Sequence, residues 1–239
     1  MGGTAAGRPP HRSTPTCLPM PSLLRTEFHC HTIHSKDSLT TPEALVAAAR
    51  RKGIERLIVT DHNTIAGALA CQALDPQRVI VGEEIMTTRG ELLAAFVQEE
   101  IPAGLPPQEA ITRLRAQGAF ISVSHPFDRF RNGHWALPDL LDILPLVDAI
   151  ETFNARCLWP GFNTQAQRFA QEHGIPGTVG SDAHAAFEVG RASLWLPDFH
   201  DAASLKAALR EASPAQLTLS MPWVHLTSRY AVWKKGRSS

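Results

Sequence analysis

Six short apolar runs in this chain end in the same kinds of residue. The first closes on His29-Cys30-His31, the second on Thr60-Asp61-His62, and the third on Gly82-Glu83-Glu84. Then come Ser124-His125-Pro126, Glu151-Thr152-Phe153-Asn154 and Gly180-Ser181-Asp182-Ala183-His184. Between these runs lie stretches with helix start and stop signals. TPEALVAAARRKG, for example, has Thr41 as N-cap, Pro42 at the first helical position and Gly53 as the stop. Strand-like runs alternating with helices of this length predict βαβ units and a parallel sheet. Seven such steps fit a single closed α/β barrel better than two domains. ERLIVTDH reads as a buried strand, and RVIVGEEIMT with ELLAAFV as two strands joined by a turn at Arg89-Gly90.

The remainder of the chain sets the boundaries. Residues 1–25 are rich in Gly, Pro, Ser and Thr and lack the continuous apolar core of a signal peptide, so disorder is expected there. Residues 26–212 form the expected barrel domain, and 213–239 a C-terminal extension whose aromatics Trp223, Tyr230 and Trp233 pack on it. No apolar run approaches the ~20 residues that span a bilayer, so no membrane partner is expected. Basic and acidic residues balance at 23 each, which argues against a general nucleic-acid or anionic-membrane partner. The cysteines Cys17, Cys30, Cys71 and Cys157 are scattered without a CxxC pair, which suggests free thiols in a reducing cytoplasm. Oligomeric state leaves no mark in the sequence.

The ends of parallel barrel strands are where active sites assemble, because the loops from every strand converge there. Residues more than 150 positions apart can therefore meet in one cleft. On a strand, residues two apart share a face. His29 and His31 can both point inward while Cys30 points out, and Asp182 with His184 repeats the arrangement. His62, His125 and Glu84 add to a mixed nitrogen and oxygen set suited to Zn, Mn or Fe(II). Asp37, beyond the first strand, can reach back as a carboxylate ligand. This is more than the roughly four ligands one zinc needs, which favours two or three divalent ions sharing bridging carboxylates, with Mg also admissible. Each residue alone also has a bland explanation as a cap or hydrogen-bonded polar group. The ordered set on successive strand ends is what favours metal. Strand alternation lets only one of Glu83 and Glu84 point in, and Glu84 is the ligand candidate. Asp61 is expected to orient a neighbouring ligand, and His34 to stand at the rim.

HCHTIHSKDS, TDHN, VGEEI, SVSHP and GSDAH, in that order, resemble the motifs of the PHP (polymerase and histidinol phosphatase) family, over about residues 27–196. The resemblance implies a distorted seven-stranded (β/α)7 TIM-like barrel with up to three metals at the C-terminal face of its strands. It implies hydrolysis of a small phosphorylated metabolite, nucleotide or short oligonucleotide by a metal-activated hydroxide. Carried over by motif, the metal ligands are His29, His31, Asp37, His62, Glu84, His125, Asp182 and His184, with Asn154 at a position that varies in the family. Glu27-Phe28 departs from the Asp-Leu that often precedes the first histidine. In PFDRFRNGHW, Arg129 and Arg131 each offer a guanidinium fork for phosphate. Arg129 joins Asp182 and His184 as a catalytic candidate. Three other readings stay open: an amidohydrolase-like enzyme acting on non-phosphate substrates, a nuclease or proofreading module, and a non-catalytic metal-binding domain.

Overall fold

The computed structural model describes residues 2–3 and 23–237. The N-terminal segment expected to be disordered lies largely outside the described residues. Among the described residues, nine strands and seven α-helices follow in chain order. They are β1 (Leu24–Glu27), α1 (Pro42–Arg51), β2 (Arg56–Val59), α2 (Ala66–Leu74), β3 (Val79–Met86), β4 (Glu91–Ala95), α3 (Pro107–Ala116) and β5 (Phe120–Val123). There follow α4 (Leu137–Ile143), β6 (Ala149–Asn154), α5 (Pro160–His173), β7 (Gly177–Gly180), β8 (Ala192–Leu196), α6 (Ala202–Ala208), β9 (Ser213–Leu217) and α7 (Val224–Gly236). Helix α1 starts and stops on its sequence signals. The Thr41 hydroxyl accepts from the Ala44 N–H at 3.3 Å, and Gly53 takes a left-handed φ of 66°.

The strands form one mixed sheet in the order β7-β6-β5-β4-β3-β2-β1-β8-β9. This corrects the expected seven-stranded (β/α)7 barrel. Two features account for the difference. The short link at Arg89-Gly90 makes β3 and β4 an antiparallel hairpin, because a parallel return needs a crossover of a dozen or more residues. At the other side β8 and β9 add antiparallel to β1, so β1 meets β8 rather than β7 along its length. The sequence reading missed β9, whose SPAQL carries a proline and lies mostly exposed, as suits an edge strand.

The sheet curls, and its two faces bury different cores. Leu57 and Val59 of β2 join the outer core beneath the helices, while Ile58 between them joins the inner one with Phe28, Phe120 and Val179. Leu205 and Ala208 of α6 also belong to the inner core. The curl brings β7 back toward β1 at the C-terminal ends of the strands. There Cys30 and Ala183 form an isolated parallel bridge, with the His31 N–H donating to the Ala183 carbonyl at 2.9 Å. A second bridge, His62 to Glu84, prolongs the β2–β3 pairing at the same end. The described strands thus gather their ends into a mouth.

Candidate metal centre

His29 and His31 follow β1 directly and point into the mouth, while Cys30 lies in the outer apolar core with its thiol donating to the Ile58 carbonyl at 3.4 Å. Glu84, near the end of β3, is the hub. Its Oε2 stands 3.2 Å from His29 Nε2, 3.5 Å from His31 Nε2 and 3.0 Å from His62 Nδ1. Its Oε1 faces His125 Nε2 at 3.3 Å. Asp182 is a second hub, with Oδ1 3.2 Å from His31 Nε2, 3.7 Å from His29 Nε2 and 3.3 Å from His184 Nδ1. Asp37 does swing back from its loop, its Oδ2 lying 3.2 Å from His184 Nε2 and 3.5 Å from His62 Nε2. Glu83 turns the other way and accepts from the Ile101 N–H at 3.0 Å.

Eight of the residues named from the sequence therefore meet in one place. Asn154 meets them in a different capacity. Its amide donates to Glu151 at 3.0 Å and to Asp182 at 3.4 Å, and its carbonyl accepts from the Arg156 N–H at 2.9 Å. Arg129 is exposed, and it is Arg131 that turns inward and bonds Asp182. His34 is exposed at the rim.

Two carboxylates at the site escaped the sequence reading. Glu91 opens β4, so the hairpin sets it opposite Met86 at the mouth, 3.4 Å from His125 Nε2 and 3.8 Å from His62 Nδ1. The Arg89-Gly90 turn was the signal that could have found it. Glu151 lies in β6. It accepts from His29 Nδ1 at 2.9 Å and from the His125 N–H at 2.9 Å, fixing one histidine ring and the backbone of another. Gly180 makes room for this, since a Cβ there would lie 2.3 Å from the Glu151 carboxylate and 2.4 Å from His29 Cβ. His31 is held through a relay: its Nδ1 lies 3.2 Å from the Ser35 hydroxyl, which donates to Asp61 at 2.5 Å. Such partners set ring orientation and leave the other nitrogen for a ligand. Glu27 explains its own departure from the family pattern. Buried, it accepts from the backbone of Ser181 at 2.8 Å and of Gly190 at 2.9 Å, joining the exits of β1 and β7. Burial pushes its carboxyl up to about 7 against those hydrogen bonds.

The electrostatics are those of a site built around positive charge. Burial opposes ionisation of Glu84, but His29 and His62 outweigh it and hold the carboxyl well below the usual range. Asp182 is likewise held low against its burial by Arg131 and His29. Burial, with His184 and His62 alongside, drives His31 down to about 3, so this ring is neutral with a lone pair to give. His29 Nε2, His31 Nε2, His184 Nε2, Glu84 Oε2 and Asp37 Oδ1 are buried without a hydrogen-bond partner. Leaving such atoms unpaired is costly. A divalent cation satisfies both nitrogen and oxygen at once, and the donor set fits one. Three overlapping groups qualify: His31, His62 and His184; His29, His31 and Glu84; His62, Glu84 and Glu91. In each, the ligand atoms lie within 4.8 Å of one another.

Above these ligands opens a cleft of about 840 Å³, lined by His34, Asp37, Arg131 and, from α7, Arg229 and Trp233. Helix α7 is fastened to the ligand loops. Lys235 donates to the Ser35 carbonyl at 2.6 Å. The buried Arg156 donates to the Val224 carbonyl at 2.9 Å and faces Glu188 at 3.4 Å, and Glu188 accepts from the His184 N–H at 3.2 Å.

Comparison with known proteins agrees with this arrangement. The family model described as PHP domain matches residues 27–107, and that described as PHP-associated matches residues 160–214. Uncharacterized protein MJ1587 of Methanocaldococcus jannaschii is 36% identical over 145 residues, covering 55% of this chain and 82% of that protein. Uncharacterized protein MJ0417 of the same organism is 37% identical over 174 residues, covering 72% of this chain and 70% of that protein. Among solved structures, a two-domain protein from Bacteroides vulgatus containing a predicted PHP-like metal-dependent phosphoesterase superposes with a TM-score of 0.66. It is 19% identical, over 89% of this chain and 70% of that one.

Proposed function

Because the chain belongs to the PHP family, we propose that it is a metal-dependent hydrolase of small phosphate esters. One observation carries this reading above the others: unpartnered ligand atoms on His29, His31, His184, Glu84 and Asp37 cluster beside an open cleft that Asp37, His62 and Glu91 line. Two or three divalent ions would be held by the three overlapping groups, in which His31, His62 and Glu84 each occur twice. Such ions supply Lewis acidity, acidifying water to near neutrality and screening the charge of a phosphate.

The chain's own residues do the remaining work. Arg131, already aimed at Asp182, is placed to orient phosphate oxygens with its guanidinium fork. His184 Nε2 faces Asp37 within the ligand cluster, and His34, which lines the cleft, is the group to pass a proton to the departing alcohol. Glu151 and the Asp61–Ser35 relay keep the His29 and His31 rings from turning. Burial pushes the Cys30 thiol well above its ordinary range and the thiol faces the outer core, so it is no nucleophile. A cleft of this size suits a small phosphorylated molecule or a short oligonucleotide. The free cysteines Cys30, Cys71 and Cys157 suit a reducing cytoplasm. No helix among the described residues is long and apolar enough to cross a membrane.

The test is a panel of phosphate mono- and diesters assayed with Zn, Mn and Mg in turn. Turnover of at least one ester that stops on chelation is the expected result. Fully metal-loaded protein that cleaves none of them would overturn the proposal.

A further inference from the structure

Helix α7 has two apolar faces. One buries Val224 and Ala231 against the protein. The other carries Trp223 at 50% exposure, Leu226 at 62%, Tyr230 at 53% and Trp233 at 55%. Their spacing of three, four and three residues is that of a seam between packed helices. The stripe is continuous, since the Phe187 ring lies 5.4 Å from Trp223 and the Tyr230 ring 5.7 Å from Trp233. The stripe itself, through Trp223, Leu226 and Tyr230, forms one wall of a largely apolar groove of about 570 Å³, whose other wall carries Thr40, Ala44, Ala185 and Ala186 with Leu39 and His184.

We propose that this ridge and groove form the interface of a two-fold dimer, in which α7 of each copy lies antiparallel in the groove beside α7 of the other. A two-fold contact requires one surface to complement itself, and here the ridge and the groove that would receive it lie side by side. Small residues along the groove let a second helix approach closely. The extent is also right. A large aromatic buries about 150–250 Å², so the half-exposed residues of this stripe leave on the order of 600 Å² of apolar surface. That is at the upper end for a lone monomer and near the roughly 800 Å² per partner of a stable interface. Charge fixes the direction. The last turn of α7 and its cap carry Lys234, Lys235 and Arg237, and a parallel pair would set these together, whereas an antiparallel pair keeps them apart. The α1 wall of the groove adds the exposed carboxylate of Glu43, next to Ala44. Trp233 belongs both to the stripe and to the metal cleft, so the second copy would border the cleft.

The test is sedimentation velocity on the full-length, metal-loaded chain, together with a Leu226→Glu/Tyr230→Glu variant and a conservative Leu226→Met/Tyr230→Phe variant. The wild type and the conservative variant should sediment at twice the 26.1 kDa chain mass. The charged variant should dissociate at least about 100-fold more readily, with unchanged circular dichroism and metal content, since both side chains are exposed. A wild type that stays at 26.1 kDa up to 100-fold dilution from stock overturns the proposal. So does a charged variant that remains dimeric. A monomeric wild type that co-sediments with phosphatidylserine vesicles overturns it in favour of a lipid surface. None of these readings depends on phosphatase activity.

Discussion

The two ends of the sheet treat charge in opposite ways. At the base, where the parallel strands begin, charges are matched. Asp148 accepts from Arg115 at 2.5 Å, from Lys206 at 3.0 Å and from the Ile121 N–H at 3.0 Å. Arg56 faces Asp198 at 2.8 Å. At the mouth, histidines and carboxylates crowd together with ligand atoms left unpartnered. Backbone strain occurs at both ends, since Phe96, just past β4 at the base, adopts a φ of 63°. Asn63, His125 and Asp182 at the mouth adopt positive φ, at 54°, 21° and 50°, in a region that costs a residue with a side chain of order 1–2 kcal/mol. The base matches its charges internally, whereas the mouth leaves nitrogen and oxygen atoms open to a cation.

The difference can be broken at the mouth first. His29→Ala/His31→Ala should lower phosphatase activity by more than about 10³-fold and reduce metal content measured by mass spectrometry, while circular dichroism stays native. Full activity in that variant would show that the mouth is not the catalytic site. Chelation comes next. If the mouth depends on cations, metal-free protein should melt about 10 °C lower, as a ligand present at 1,000 times its Kd contributes about 4 kcal/mol. An unchanged melting temperature would show that the mouth is satisfied on its own. Asp61→Asn then sharpens the comparison. It disturbs the relay to His31 and the Thr32 hydrogen bonds on the same carboxylate, so metal affinity should weaken by about 10–100-fold, with kcat largely recovered at saturating metal.

The base gives the smallest effect. Asp148→Asn should cost about 2 kcal/mol of stability and leave kcat/KM untouched. Arg115, the Ile121 N–H and Lys206 overcome burial and hold the Asp148 carboxyl below its ordinary range. Its contribution is therefore complete above the unfolded value of about 3.9 and is lost as pH falls through the lower native value. Denaturant titrations of wild type and variant should converge below that range. A constant gap between them down to pH 2 would contradict the assignment.

Sequence legibility follows the same line. Most of the candidate ligands could be read because each ends a strand run, and strand alternation and barrel convergence are local rules with long reach. Alternation requires one of Glu83 and Glu84 to point away, and the motif assigns the inward place to Glu84, as the structure has it. Glu91 was hidden because it begins an antiparallel strand, where a search confined to strand ends does not look. Arg131 could not be told from Arg129, since the path of the 128–134 loop is set by contacts distant in sequence. One of these is Gly133, where a Cβ would strike the Glu91 carboxylate. The nine-stranded mixed sheet differs from the expected barrel for a global reason. Counting βα steps gives the number of units but not whether the first and last strands meet, and β8 with β9 takes the place beside β1.

The backbone pairing between β1 and β7 is a single bridge, with the His31 amide on the Ala183 carbonyl and the Ala183 amide 3.4 Å from the His29 carbonyl. Those two amides lie in the segments that carry His29, His31, Asp182 and His184. Their hydrogen-exchange rates are therefore a built-in gauge of occupancy. Loaded protein should protect both, metal-free protein should release them together, and the Ile121 amide at the base should keep its rate throughout.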